Sequence, residues 1–316
     1  MTTDEQITRL THKLEILQNF FKKDISKAYL FSRLAIIVFI FAFVSAGYLG
    51  LSGIIITATI RALIAFLFFS WLIIVWFYLH YSSKFSERFK SEIIDNIVQT
   101  LLPEAKYYHK QGFDSNILFM EQGSGIYDFK PSGNLSEDRI EAQLDGWKYE
   151  SAELKVSRGY GKRRVTVFKG MVIKLTLPVK FSHNLIIQSK NLDYKAKYSN
   201  KIRLESQFWH ETFDTYCEDN VFARYILNTA VMVRIEDLQK KYKHIGISFK
   251  DNNIYILWES NKDFWEPVIK LQTRYELEKD VRNYIESLNL VLNLVKELQL
   301  GREIWTRKEF TYKKKT

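Results

Sequence analysis

Apolar residues form one long stretch near the start of the chain. No charged residue occurs from Leu34 to Ile60, and after Arg61 the apolar run continues from Ala62 to Leu79. One helix over this stretch would be roughly 69 Å long at ~1.5 Å per residue, more than twice the ~30 Å core of a bilayer. The pattern therefore predicts a transmembrane hairpin over 34–80, with spans at about 34–51 and 61–80.

Basic residues flank this predicted hairpin on one side of the membrane. Only Arg61 lies in the turn between the spans, and we interpret it as an interfacial residue. Seven others lie outside the spans: Lys22, Lys23, Lys27, Arg33, Lys84, Arg88 and Lys90. Because positive residues stay on the cytoplasmic side, both termini are predicted to be cytoplasmic. The long polar segment before the first span is not typical of a cleaved signal peptide.

Helical periodicity continues on both sides of the hairpin. Five apolar residues before it follow a 3-4 spacing: Ile7, Leu10, Leu14, Leu17 and Phe21. This spacing predicts an amphipathic, coiled-coil-like helix within residues 1–33, which packs on the protein's own helices or self-associates. After the hairpin, residues 82–111 read as a juxtamembrane helix and linker, with the helix from Ser86 to Leu102 ended by Pro103.

From residue 112 onward the hydrophobic period shortens toward two, which is typical of strands. The strand candidates are Trp147–Tyr149, Glu153–Val156, Val165–Phe168, Val172–Leu177 and the hairpin of Ile245–Phe249 with Ile254–Trp258. Helices are predicted at Thr229–Tyr242 and at Arg274–Leu300. The fold class is therefore α+β, with a mostly antiparallel sheet and packing helices over 112–306. Residues 307–316 form a basic tail.

Positive charge is concentrated in one part of the sequence. Residues 151–202 contain twelve Lys or Arg and two acids, a net charge of +10 that equals the net charge of the whole chain. Six of these residues, in two groups, are candidates for binding an anionic surface: Arg158, Lys162, Arg163, Arg164, Lys195 and Lys197. An anionic leaflet attracts nearby basic residues by ~1 kcal/mol each. A merely solvated face is the alternative interpretation. Nucleic acid is disfavoured because no RNA- or DNA-binding motif accompanies Tyr160.

Catalytic and metal-binding patterns are not found in the sequence. The six histidines lack metal-ligand spacing, and the single cysteine, Cys217, is expected to be a small buried residue. The segment Gly159–Lys162 lacks the pattern of a phosphate-binding loop and is interpreted as a turn. We therefore predict no metal and no cofactor.

Glu218, Asp219 and Arg224 form the most notable polar group. Asp219 is predicted to cap a short helix ending near Ile226, with Arg224 in its last turn. In this interpretation the three residues are a structural polar cluster. The alternative is a polar site at the edge of the sheet.

Several segments resemble a bacterial membrane-protein family known as domain of unknown function 3137. They are Phe168–Met171, Leu204-Glu205, Phe208, Phe213, Tyr216, Glu218-Asp219, the run Ala223–Leu227, Thr229, Met232 and Leu300–Trp305. The resemblance covers about residues 137–306. It implies a two-helix anchor in the bacterial inner membrane followed by a cytoplasmic α+β domain, and it transfers no catalytic residue.

These observations together favour a membrane-anchored, non-enzymatic interaction or scaffold module. Its cytoplasmic body is expected to lie against an anionic membrane or a protein partner, and self-association through the N-terminal helix is compatible with this. Two other functions stay open at this point. One is an enzyme with a site assembled around Glu218, Asp219 and Arg224. The other is a two-helix effector that permeabilises the membrane.

Overall fold

A computed structural model describes residues 26–27, 29–45, 58–118, 123–128, 131–144, 146–192, 195–260, 265 and 277–300. The chain divides into two compact units. Described residues up to Ile97 and from Leu277 to Arg282 belong to the first unit, whereas the second comprises Val98–Trp265 and the residues from Asn283 onward. The predicted amphipathic seam of residues 7–21 and the basic tail of 307–316 lie outside the described residues.

The first unit contains two helices that run antiparallel to each other. Helix α1 spans Tyr29–Ser45 and helix α2 spans Ala58–Arg88. The Phe31 ring stacks on Phe77 at 5.2 Å, and Phe39 lies 5.8 Å from Trp71. Residues later in α1 therefore contact residues earlier in α2, as expected for antiparallel helices. Helix α1 begins before the predicted start of the first span and ends before its predicted end, whereas α2 continues beyond the predicted end of the second span.

Small residues line the side of α1 that is turned away from solvent. Ser32 and Ala35 are buried, and Ala42 and Ser45 follow at helical spacing. Small side chains at such a seam let two helix backbones approach closely. The other sides of both helices expose large apolar residues, among them Ile37, Phe41, Phe43, Phe66, Phe69, Ile73, Trp76 and Leu79.

By length and hydropathy, one described helix, at Ala65–Leu101, is a candidate membrane span. The helix at Tyr29–Ser45 is shorter but also apolar. Helix α2 passes through a π-helical turn, Phe89–Ile94, into α3, Asp95–Leu101. It ends just before Pro103, as predicted, because proline cannot continue a helix. The apolar face predicted for this segment is buried at Phe89, Ile93 and Ile97.

The second unit is built on one large sheet. Its strands are β1 Lys106–Tyr108, β2 Gly133–Leu144, β3 Trp147–Arg158, β4 Val165–Thr176, β5 Leu185–Ser189, β6 Lys201–Ile202, β7 Phe213–Cys217, β8 Ile245–Lys250 and β9 Asn253–Glu259. In the part of the chain that the structure describes, these nine strands follow the order β1-β2-β3-β4-β9-β8-β5-β7-β6. Every neighbouring pair is antiparallel, which confirms the predicted α+β class.

The helices of this unit lie in the second half of the chain, between and after strands β6 to β9. They are α4 Gln207–Thr212, α5 Asn220–Ile226, α6 Thr229–Tyr242 and α7 Leu277–Leu300, the last of which begins in the first unit. Helix α6 has the predicted bounds. The β8–β9 hairpin also matches the prediction, extended at its turn by Lys250 and Asn253.

Strand β3 is longer than the two short segments predicted for it. The sequence pattern breaks at Glu150, a polar residue that is nevertheless buried in the strand. Arg139 and Lys148 bind its carboxylate at 2.6 and 3.0 Å. Because burial of a charge is tolerated only when the charge is paired, these contacts let the strand continue through a position that looks like a loop in sequence.

The two faces of the sheet are covered differently. On one face Tyr242 of α6 stacks on Trp258 at 4.6 Å, and Phe222 of α5 packs near Phe181 at 6.3 Å. On the other face, the loop residues Leu118, Ile126 and Tyr127 pack on strand residues that include Phe168, Val172 and Leu257. Gly246 permits this approach, since a Cβ there would lie 2.6 Å from the Ile126 side chain.

Gly170, in the central strand β4, provides a test of this packing. A Cβ at this position would overlap the carbonyl oxygen of Trp258 on the neighbouring strand β9. We expect Gly170→Ala to destabilise the sheet unit by about 1–3 kcal/mol, the usual cost of overpacking. Thermal unfolding of the full chain in mild detergent, followed by tryptophan fluorescence, measures this loss.

Gly133→Ala is the matched control, because this Cβ would meet only the flexible end of the Arg164 side chain, at 2.8 Å. Equal losses in both variants would contradict the steric argument.

Candidate functional site

Four basic side chains surround the turn between β3 and β4. Arg158 ends β3, Lys162 and Arg163 lie in a short 3-10 turn, and Arg164 precedes β4; we call these four residues the basic tip. All four are exposed. Within the part of the chain that the structure describes, no carboxylate forms an ion pair with any of them. The basic tip therefore carries four positive charges that no acid among the described residues neutralises.

Two glycines shape the turn that carries the basic tip. Gly159 and Gly161 have φ angles of 85° and 56°, in the left-handed region that favours glycine. A Cβ on Gly159 would also lie 2.5 Å from the Arg163 carbonyl oxygen. The segment is therefore a tight turn between strands, as predicted, and no helix follows it to make a phosphate-binding loop.

Hydrogen bonds hold this turn in place. The Arg163 amide donates to the Tyr160 carbonyl at 3.1 Å, and the Arg164 amide donates to the Gly161 carbonyl at 3.2 Å. From the neighbouring strand side, the Ser132 hydroxyl donates to the Gly159 carbonyl at 2.7 Å. The backbone of the turn that carries the four cations is thus fixed by hydrogen bonds within the turn and by one side chain outside it.

The second group of basic residues is arranged quite differently. Lys195 and Lys201 bind the two oxygens of the Asp214 carboxylate at 2.8 and 2.7 Å. The ammonium of Lys190 donates to the His210 carbonyl oxygen. Of the two candidates predicted here, Lys195 thus belongs to an ion-pair cluster, and Lys197 is exposed. This group lies near β7 and the outermost strand β6, five positions from β4 in the sheet order.

Two opposing effects act on the pKa of the Asp214 carboxyl group. Burial alone would raise the pKa of its carboxyl group, but hydrogen bonds and charges from Lys195 and Lys201 outweigh burial and lower it. The carboxylate is therefore ionised at neutral pH and cancels part of the local positive charge. The net charge of +10 in residues 151–202 therefore does not form two equivalent surface groups, because Asp214 partly neutralises the second one.

Glu218, Asp219 and Arg224 do not meet in one cluster. The Asp219 carboxylate accepts hydrogen bonds from the amides of Val221 and Phe222, so it caps α5 as the sequence predicts. Arg224 instead pairs with Glu205, at 2.9 Å and exposed to solvent. Glu218 lies beside His183, at 4.0 Å. The geometry supports a capping role and does not assemble a polar site from these three side chains.

A pocket of about 270 Å³ lies beside β5 and β7 in the sheet unit. Its walls include Tyr198 and Tyr216, whose ring centroids are 5.4 Å apart. The Tyr198 hydroxyl donates to the Gly125 carbonyl, and burial raises the pKa of Tyr198 to about 12. Cys217 also lines the pocket, but burial raises the pKa of its thiol, which disfavours the reactive thiolate.

Metal-ligating groups do not converge in the described ranges. Across these residues, no group of three or more His, Cys, Asp or Glu side chains is placed to hold a metal ion. The pocket and the helix cap therefore offer neither an activated nucleophile nor a metal site among the residues described.

Two features of the site do not follow from the sequence pattern. Asp214 is not among the predicted site residues. Its alternation with Tyr216 along β7 is visible in the sequence, but the position of Lys201 opposite Tyr216 is set by the folded sheet. The exposure of Tyr160, Val165 and Leu135 around the basic tip was also missed. Apolar residues in strands are normally predicted to be buried, so no sequence rule marks these as exposed.

Comparison with known proteins identifies a family of unknown function. Residues 166–300 match the family model described as "Protein of unknown function (DUF3137)". These residues match the family that the sequence resembles, which confirms the resemblance over a narrower range than 137–306. The matched range does not include α1 and α2. No curated protein matches the chain.

One solved structure shows a distant likeness. It is the crystal structure of the mycobacterial trehalose monomycolate transport factor A, TtfA, with 11% sequence identity and a TM-score of 0.32. The match covers 65% of this chain and 94% of that chain. A likeness at this level supports no inference about function.

The ion-pair cluster around Asp214 leads to a pH prediction. A carboxyl group whose pKa is lowered by folding stabilises the protein above its unfolded pKa of ~3.9, and this contribution is lost as the pH falls through the folded pKa. We expect Asp214→Asn to cost about 1–3 kcal/mol at neutral pH, since ion pairs with Lys195 and Lys201 are lost. The difference from the native chain should shrink below pH ~4.

Thermal unfolding as a function of pH measures this effect. Asp251→Asn is the control, because its ion pair with Lys180 is exposed and asparagine tolerates the φ of 53° at this position. A neutral-pH loss no larger in Asp214→Asn than in the control would show that the cluster does not stabilise the fold.

Proposed function

We propose that the chain is a membrane-anchored, non-enzymatic interaction module. In this proposal α1 and α2 form a hairpin in the bacterial plasma membrane, and the sheet unit lies in the cytoplasm. The basic tip binds an anionic membrane surface. The observation that carries the proposal is four exposed cations that have no acidic partner within the described ranges and are held on a turn of fixed backbone.

The exposed surface of α1 and α2 supports the anchor. Large apolar side chains cover the outside of both helices, for example Phe43 at 73% and Phe66 at 66% exposure. Monomeric soluble proteins rarely expose apolar surface so continuously. Helix α1 is about 25 Å long at ~1.5 Å per residue, close to the ~30 Å hydrocarbon core.

The start of α1 and the facing part of α2 have the composition of a membrane–water interface. The Lys27 ammonium lies 5.1 Å from the centre of the Tyr81 ring, and Trp76 stacks on His80 at 5.6 Å. Amphipathic aromatic rings and basic residues are enriched at this level of a bilayer. This composition favours a cytoplasmic location for the end of the hairpin where α1 begins.

The arrangement of polar residues favours an interaction module over an enzyme. An enzyme centred on Glu218, Asp219 and Arg224 would need these groups to converge, yet Arg224 pairs with Glu205. A permeabilising two-helix effector would give no role to the basic tip. A partner protein or a second copy of the chain is compatible with the proposal, but no described contact favours either.

The proposed topology makes a prediction about protease access. Protease added to intact spheroplasts should leave the sheet unit undigested, whereas the same protease should digest it in inverted membrane vesicles, because positive flanks keep both termini in the cytoplasm. Immunoblotting against tags at both termini measures the result. Digestion in intact spheroplasts would place the sheet unit outside the cell and contradict the proposed topology.

The proposed role of the basic tip is tested with the full chain reconstituted into lipid nanodiscs. Amide hydrogen exchange of residues 158–165 should be slower in discs containing phosphatidylglycerol than in discs of neutral phosphatidylcholine. Raising the salt to 0.15 M should weaken this protection, because the Debye length falls to ~8 Å. Replacing Arg158, Lys162, Arg163 and Arg164 with Gln should abolish the difference and change stability by less than about 0.5 kcal/mol.

A control variant separates the basic tip from net charge. Replacing Lys180, Lys190, Arg224 and Lys240 with Gln removes the same number of charges, but from residues bound to groups elsewhere in the sheet unit. We expect this variant to keep the lipid-dependent protection at 158–165. If both variants lose it equally, the effect is due to overall charge. If the native chain shows no lipid dependence, the basic tip is a solvated surface.

A further inference from the structure

We propose that the β3–β4 turn inserts into the membrane interface, with Tyr160 entering the headgroup region of an anionic bilayer and Val165 and Leu135 following it. This inference rests on the proposed function and deepens it, because it adds an apolar contact to an electrostatic one. We call Tyr160, Val165 and Leu135 the apolar apex.

The apolar apex is unusually exposed for residues of its kind. Tyr160 is 81% exposed, Leu135 62% and Val165 55%. In the described part of the sheet unit, the other exposed large apolar side chains lie on α5 and α6: Val221 at 58%, Val233 at 45% and Tyr225 at 41%. Single exposed apolar residues are normal, but three at the end of the sheet that carries the basic tip need an explanation.

Strand register places the apolar apex and the basic tip at one end of the β2–β3–β4 meander. Val165 pairs with Arg158, and Gly133 at the start of β2 pairs with Ser157. Leu135 lies two residues further along β2, opposite Lys155. The three strands therefore begin or end together here. Lys155 and Arg158 are three residues apart on β3, so Leu135 and Val165 lie on opposite faces of this end of the sheet.

The turn is preorganised for insertion. Tyr160 lies between two glycines with positive φ, and its carbonyl accepts the Arg163 amide within the turn. A backbone already fixed in one conformation loses little entropy when it binds. Tyrosine itself is suited to an interface, since its ring is apolar and its hydroxyl stays hydrated.

The composition of the apolar apex favours lipid over nucleic acid. A tyrosine among cations could stack on a base, and base stacking needs only an aromatic face and nearby charge. Exposed Val165 and Leu135 gain nothing from base edges or phosphates, but they gain from leaving water at the acyl boundary. Basic residues next to exposed apolar residues are also a feature of interfacial membrane anchors.

An environment-sensitive label at the apex tests the depth of insertion. Tyr160→Cys in the full chain can be labelled selectively with the fluorophore NBD, because the native Cys217 is buried. In phosphatidylglycerol-containing nanodiscs we expect blue-shifted emission that lipids brominated along the acyl chains quench. The same label at Lys240→Cys, exposed on α6, should keep its aqueous emission.

A vesicle-binding experiment separates insertion from charge. With the full chain held in neutral nanodiscs, flotation with added anionic vesicles measures the affinity of the sheet unit. We expect Tyr160→Ser to weaken this affinity roughly tenfold at physiological salt, since an apolar contact is not screened. This variant keeps all four cations of the basic tip. At low salt, the amides of residues 158–165 should therefore still be protected from hydrogen exchange in anionic nanodiscs.

The outcomes distinguish the two proposals. Aqueous emission from the Tyr160 label in anionic discs, with hydrogen-exchange protection of 158–165 intact, would overturn insertion and leave surface binding in place. Loss of both would overturn the proposed function as well. A label that responds to single-stranded RNA but not to anionic vesicles would overturn insertion in favour of nucleic acid.

Discussion

The hydrogen-bonded ladder between β3 and β4 is the constraint on which the candidate site depends. It runs from the pair Lys148–Thr176 to the pair Arg158–Val165. Strands of this length extend roughly 40 Å at ~3.4 Å per residue, so the ladder holds the turn at a fixed place at the end of a stiff element. The positions of the basic tip and of Tyr160 follow from this register, because a slip of one residue would reverse which side chains face the core.

Strong periodicity made much of the fold predictable. The bounds of α6 and the β8–β9 hairpin follow from their patterns alone, and the class of the sheet follows from the many period-two segments. Prediction failed where a tertiary contact offsets a local penalty. Glu150 looks like a break in β3, yet Arg139, on the neighbouring strand β2, and Lys148 bind its carboxylate. Local sequence patterns do not reveal that Arg139, on another strand, pairs with Glu150.

The candidate site was predictable only in part. The four cations of the basic tip are visible as a cluster in sequence, since they lie within seven residues of one turn. Lys195 belongs to the same charged stretch but is bound to Asp214, nineteen positions away. Likewise, the cap at Asp219 could be inferred from local spacing, whereas the pairing of Arg224 with Glu205 depends on how α5 lies on the sheet. Sequence patterns predicted contacts between residues that are close in the chain. Contacts between residues far apart in the chain became visible only in the fold.

The Asp214 cluster has a consequence for how the sheet unit responds to an electric field. Because Asp214 offsets the charges of Lys195 and Lys201 while the basic tip lacks such an acid among the described residues, positive charge is distributed unevenly across the unit. An uneven distribution of charge behaves as a dipole, and a dipole near a charged plane experiences a torque as well as an attraction. In the proposed function, this torque favours an orientation of the unit with its β3–β4 end toward the anionic membrane before any atom makes contact.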